Sequence, residues 1–166
     1  MNENTDFIKP EPREIKEKQK KKWIKAWFAI EVVAIGKEIA EQAIRKHMER
    51  MSKAKSMIIT DIKYSEPSEA QSLPDQIKKK IDEKAQGEKA YSVSAEISFM
   101  CKNMTILLEL VMMYGPSAIE ILEPKEVNIP IDEIQNIANV FSGILHQFAA
   151  SGIGGLVIST DKKDKK

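Results

Sequence analysis

Between Trp23 and Ala34 the apolar residues fall on alternate positions. Ile24, Ala26, Phe28, Ile30, Val32 and Ala34 share one face, and Lys25, Trp27, Ala29, Glu31 and Val33 share the other. A period of two predicts a β-strand with one buried face. Gly36 breaks the pattern, and from Lys37 to Ser52 the period lengthens. Ile39, Ala40, Ala43, Ile44, Met48 and Met51 form a stripe opposite Lys37, Glu38, Glu41, Arg45 and Glu49, which predicts an amphipathic helix. Alternation returns over Met57–Tyr64, a second strand.

A polar connector follows over Ser65–Lys89, punctuated by Pro67, Pro74 and Gly87. Pro74 and Asp75 predict the start of a short helix running through Lys84. The third strand has the cleanest pattern, with Tyr91, Val93, Ala95, Ile97, Phe99 and Cys101 against Ser92, Ser94, Glu96 and Ser98. Asn103 stands where a helix N-cap belongs, because its side chain can accept a bond from a free backbone N–H. Met104–Tyr114 is then a helix, capped by Gly115 and stopped by Pro116. Ala118–Glu123 alternates as a fourth strand, and Pro124 closes it. Pro130–Ser151 predicts a third helix, with Ile134, Ile137, Ala138, Phe141, Ile144, Leu145 and Phe148 at helical spacing. Asp132 and Glu133 occupy its first turn, where the helix dipole favours them. Leu156–Thr160 reads as a short last strand.

Two successive strand–helix–strand units predict an α+β fold, the ferredoxin-like βαββαβ sandwich, with an additional C-terminal helix and short strand. The first and third strands are expected at the centre, with the helices on one face. The expected organisation is a disordered basic tail over 1–21, a single domain over 22–160 containing the 65–89 connector, and a charged tail over 161–166.

Composition narrows the function. The 166 residues are 42% hydrophobic, enough for a core, and 26 basic against 25 acidic residues leave a net charge of +1. That balance does not point to nucleic acid. A single cysteine, Cys101, excludes an internal disulfide framework. It alternates inward and is expected to be inert core. No apolar run approaches the roughly 20 residues of a membrane span, and the N-terminus lacks a signal peptide's apolar stretch. A cytoplasmic protein is expected, with no membrane partner.

No nucleophile–base motif, phosphate loop or metal-ligand spacing is present. Ser151–Gly155 is glycine-rich but closes a helix rather than opening one, so it is read as a corner. His47 and His146 have no ligand-spaced neighbours. No catalytic residue, metal or cofactor is expected. The open sheet face becomes the candidate site: Lys25, Trp27, Glu31, Ser92, Ser94, Glu96 and Ser98. The C-terminal helix could cover it. Glu31 and Glu96 could sit close enough for acid–base work, against the simpler reading of two surface carboxylates.

The second helix is apolar nearly all round, as a helix buried on every side would be. That predicts self-association through Leu108, Glu109, Met112 and Met113, hence a homo-oligomer. In its ACT-like version a small-molecule effector binds between subunits, near the loops joining strands to helices. The alternative is nucleic-acid association, with Lys18, Lys20, Lys21 and Lys22 on phosphates and Trp27 as a stacking platform.

The stretch Lys22–Ile158 resembles a family of uncharacterised archaeal proteins with a ferredoxin-like, ACT-like fold. The corner YGPSAIEILEP, Tyr114–Pro124, resembles one in the C-terminal extension of WYL-domain transcriptional regulators. The first resemblance implies a fold, and neither implies an activity. The expected function is a non-enzymatic, self-associating binding or assembly module.

Overall fold

The structure is a computed structural model and describes residues 9–70, 79 and 88–151. Two compact units divide the chain, 1–128 and 129–166. The stretch 22–160, expected as a single domain, contains parts of both units.

In the first unit the element order is α1 (Pro12–Lys20), β1 (Ile24–Ile35), α2 (Lys37–Ser52), β2 (Met57–Tyr64), β3 (Ser68–Glu69), β4 (Ala90–Cys101), α3 (Met104–Tyr114) and β5 (Ala118–Glu123). The sheet is antiparallel, in the order β2-β4-β1-β5, with β3 paired to β4. This is the ferredoxin-like arrangement. The two longest strands, β1 and β4, lie at the centre and pair along their whole length, from Ile24 opposite Cys101 to Ile35 opposite Ala90.

The alternation in the sequence places one set of side chains inward. Ile24, Ala26, Phe28 and Ile30 of β1 and Val93, Ala95, Ile97, Phe99 and Cys101 of β4 are all buried. Helices α2 and α3 pack on β1 and β4. Helix α2 contributes Ala40, Ile44, Met48 and Met51, and α3 contributes Leu107, Leu110 and Tyr114. No polar or charged residue among those described is buried.

Two glycines make the corners. Gly36 (φ 88°) turns β1 into α2, and Gly115 (φ 54°) ends α3 in the left-handed conformation, its N–H bonded to the Val111 carbonyl at 2.9 Å. An L side chain is strained at either angle. Asn103 caps α3 as its sequence position predicts, Oδ1 accepting from the Ile106 N–H at 3.0 Å. Asn103→Ala will cost about 1 kcal/mol of stability, read as a lower urea midpoint at unchanged slope.

Two expectations change. The tail over 1–21, expected to be disordered, is helical over Pro12–Lys20. Proline is tolerated in a first helical turn, and Arg13 and Glu17 pair at i, i+4 (3.3 Å). The polar connector holds β3, which continues the β2 edge along β4. Between them the Ser65 N–H reaches the Ser94 carbonyl at 2.9 Å, and Pro67, with no N–H to give, falls in the gap. Periodicity cannot reveal a two-residue strand. The helix expected from Pro74 to Lys84 falls, apart from Lys79, outside the described residues, as do the last strand at Leu156–Thr160 and the glycine corner after Ser151.

In the second unit α4 spans Ile131–Ala150 with Asp132 and Glu133 in its first turn. Within the helix Gln135 Nε2 donates to Asn139 Oδ1 at 3.2 Å. None of its residues is buried, and Ile134, Phe141, Leu145 and Phe148 are exposed.

Candidate functional site

The sheet face turned away from α2 and α3 is polar, and the register fixes its layout. Trp27 stands between Ser98 on β4 and Glu120 on β5. Ala29 stands between Glu96 and Ala118, and Glu96 in turn faces Lys63 on β2. Glu31 faces Ser94, and Ser92 Oγ donates to Glu31 Oε1. Lys25 Nζ lies 3.9 Å from Glu123. Lys25, Trp27, Ser92, Ser94 and Ser98 are half-buried, whereas Glu31 and Glu96 are exposed. The seven residues expected on this face are therefore together on it.

Glu31 and Glu96 occupy neighbouring rungs, diagonal rather than opposite, and Glu31 is engaged by the Ser92 hydroxyl. Among the described residues no group of three or more His, Cys, Asp or Glu could hold a metal ion. His47 lies against α3: its Nε2 is 3.4 Å from the Tyr114 carbonyl, and its ring meets the Tyr114 ring edge-on at 5.3 Å. Cys101 is fully buried. Its S–H donates to the Asn103 carbonyl at 3.7 Å, and burial pushes the thiol pKa up to about 12.

The expected partners need correction. Self-association was inferred from α3 being apolar on every side. Its own chain accounts for most of that surface: Leu107, Leu110 and Tyr114 are buried, and Met104, Ile106 and Val111 pack against the same core. Of the four residues expected at a subunit contact, Leu108 is half-buried. Only Met112 and Met113 remain as exposed large apolar side chains, beside exposed Glu109. Two exposed methionines make a small apolar surface that calls for no second copy.

Nothing among the described residues supports the effector expected near the strand-to-helix loops. One residue, Gly36, joins β1 to α2, and two, Lys102 and Asn103, join β4 to α3, so these corners are short. A cavity of about 590 Å³ lies elsewhere among the described residues, lined by Lys9, Glu14, Glu49, Lys53, Met57 and Ile58.

The nucleic-acid alternative loses its surface too. Lys18 Nζ sits 4.0 Å above the Trp23 ring, a cation–π contact that engages it locally. Lys20, Lys21 and Lys22 are exposed around the end of α1. Trp27, the proposed platform, is flanked by Glu120, with Glu96 and Glu31 further along the same face. Carboxylates there repel phosphate. No helix among the described residues is long and apolar enough to cross a membrane.

The sequence placed the fourth strand, β5, at Ala118–Glu123 but did not reveal how exposed it is. Every residue of Ala118–Glu123 is exposed. Its register with β1 (Ile119 opposite Phe28, Ile121 opposite Ala26) turns Ile119 and Ile121 to the helix side, yet both are 45% exposed. Among the described residues the strand pairs only with β1, which makes it an edge of the sheet. The signal was available: in the order β2-β4-β1-β5 the last strand is an edge, and its AIEILE sequence carries no lysine or proline to blunt it.

A family model, the MJ0538 family, matches residues 25–165. The match takes in all of the sheet but its first residue, Ile24, and most of the chain. The protein is therefore an α+β, ferredoxin-like domain protein, and it belongs to the MJ0538 family. No curated protein and no solved structure matches the chain.

Proposed function

We propose that the protein is a non-enzymatic binding module that takes up an extended segment of another polypeptide along β5. One observation carries the reading: β5 is exposed along its whole length and, among the described residues, paired on one side only. Exposed edges with apolar side chains invite strand addition, and native proteins blunt or cover those that have no partner. The opposite edge differs, since β3 extends it and Lys9 Nζ lies 3.7 Å from Asp61 on β2.

We take the partner to be a different chain: a two-fold pairing of β5 with its own copy centred on Glu120 sets Glu120 against Glu120, and like charges directly opposite are destabilising, which disfavours that register. We place the protein in the cytoplasm, a reading supported by its lone, buried, unpaired thiol.

Panning a displayed library of random linear peptides over the immobilised full chain tests this reading. Enrichment of a consensus segment, with amide shifts at Ala118–Glu123 when that peptide is titrated in, is expected. A library that returns no consensus overturns it.

A further inference from the structure

The binding-module reading leaves open which segment the edge would choose. We propose that the β5 edge selects a strand that alternates basic and apolar residues, with Lys or Arg beside Glu120 and β-branched residues beside Ile119 and Ile121. This rests on the reading above and deepens it.

The argument is one of faces. Side chains of paired antiparallel residues project to the same side of a sheet. Ile119 and Ile121 point to the helix side, where each is 45% exposed, so an added strand covers them if its helix-side residues are apolar. Glu120 points to the other side, next to Trp27, on a face that already holds Glu96 and Glu31. A residue of the added strand beside Glu120 meets that carboxylate, and a cation is attracted there while a carboxylate is repelled. The template is short. Regular pairing of β5 with β1 runs from Ala118 to Ile121 and is interrupted by a bulge before Glu123. A partner segment of about six residues spans it.

The test uses two synthetic labelled hexapeptides, one alternating Val and Lys and one alternating Val and Glu. Fluorescence anisotropy is read with the full wild-type chain, Glu120→Gln and Glu120→Lys, and amide shifts map the site. Glu120 is exposed, and circular dichroism checks that both variants fold. The Val–Lys peptide should bind the wild type at least ten-fold more tightly than the Val–Glu peptide. Glu120→Gln should narrow that preference, and Glu120→Lys should reverse it, with shifts centred on Ala118–Ile121. Equal affinity for both peptides, or a preference that Glu120→Lys leaves unchanged, overturns the charge selection. Strand addition itself still stands in that case if the shifts remain on β5. Shifts confined to Ser94 and Ser98, or no binding by either peptide together with an empty library screen, overturn both.

Discussion

Replacing Phe28 by alanine will lower the unfolding free energy by about 4 kcal/mol, the middle of the range for deleting a buried aromatic ring. Phe28 is fully buried on the central strand, between Ile97 on β4 and Ile119 on β5. Its ring meets that of Phe99 edge-on, at 4.6 Å between centroids and 72° between planes. An edge-to-face pair adds about 0.5–1.5 kcal/mol to the area term. Both residues belong to long, regularly paired strands, so the backbone cannot collapse to fill the space, and a cavity remains. Whole domains are stable by only about 5–15 kcal/mol, so this loss is a large fraction. Urea denaturation should show a much lower midpoint at an unchanged slope. Trp27→Ala, one residue earlier on the opposite face, removes a larger but half-buried ring and should cost well under half as much. Equal costs for the two variants would mean that the faces of β1 have been assigned the wrong way round.

The alternation of β1 and β4 was enough to read that assignment from the sequence, because a period of two leaves no second choice of face once one side is apolar. Helix α2 was legible for the same reason, through the stripe from Ala40 to Met51, and α3 through its cap at Asn103 and its stop at Gly115. Beyond local pattern the reading weakened. Helix α3 looked buried on every side, since Met112 and Met113 are apolar. Hydropathy alone, however, does not say which of two apolar sides meets the sheet. The N-terminal segment, rich in lysine, looked disordered. Yet Lys and Glu are good helix formers, and Pro12 is well placed to begin a helix. The candidate site was half legible. Trp27, Glu31, Ser92 and Glu96 do share a face, as alternation requires. The exposure of Ile119 and Ile121 was not legible, because burial of an edge strand depends on how far the covering helices reach across the sheet, which is a tertiary quantity.

The second large effect concerns alkaline pH, where Cys101 will make the protein lose stability. The thiol is fully buried and its S–H is bonded to the Asn103 carbonyl, a bond the thiolate cannot make. It also lies just ahead of α3, where the positive end of a helix dipole would favour a thiolate. Burial overrides that pull and raises the pKa from 9.0 to about 12. The sign follows from proton counting. Below pH 9 the thiol is protonated in both states and contributes nothing to the pH dependence. From about 9 to about 12 the unfolded chain gives up this proton while the folded chain keeps it, so stability falls by about 1.4 kcal/mol per pH unit. By about pH 10.5 the loss is roughly 2 kcal/mol, and it reaches roughly 4 at the top of the window. Tyr114, whose pKa burial also raises despite the opposing charge of Arg50, acts in the same direction, so wild-type data alone do not isolate the thiol. Cys101→Ala does. Its packing loss is the same at every pH and cancels in the comparison, whereas its titration is gone. The gap in stability between wild type and Cys101→Ala should therefore shrink by about 2 kcal/mol between pH 8 and about 10.5. A gap that stays constant across that range would mean that the thiol ionises as readily in the folded chain as in the unfolded one, which a group sealed beneath Asn103 and α3 cannot do.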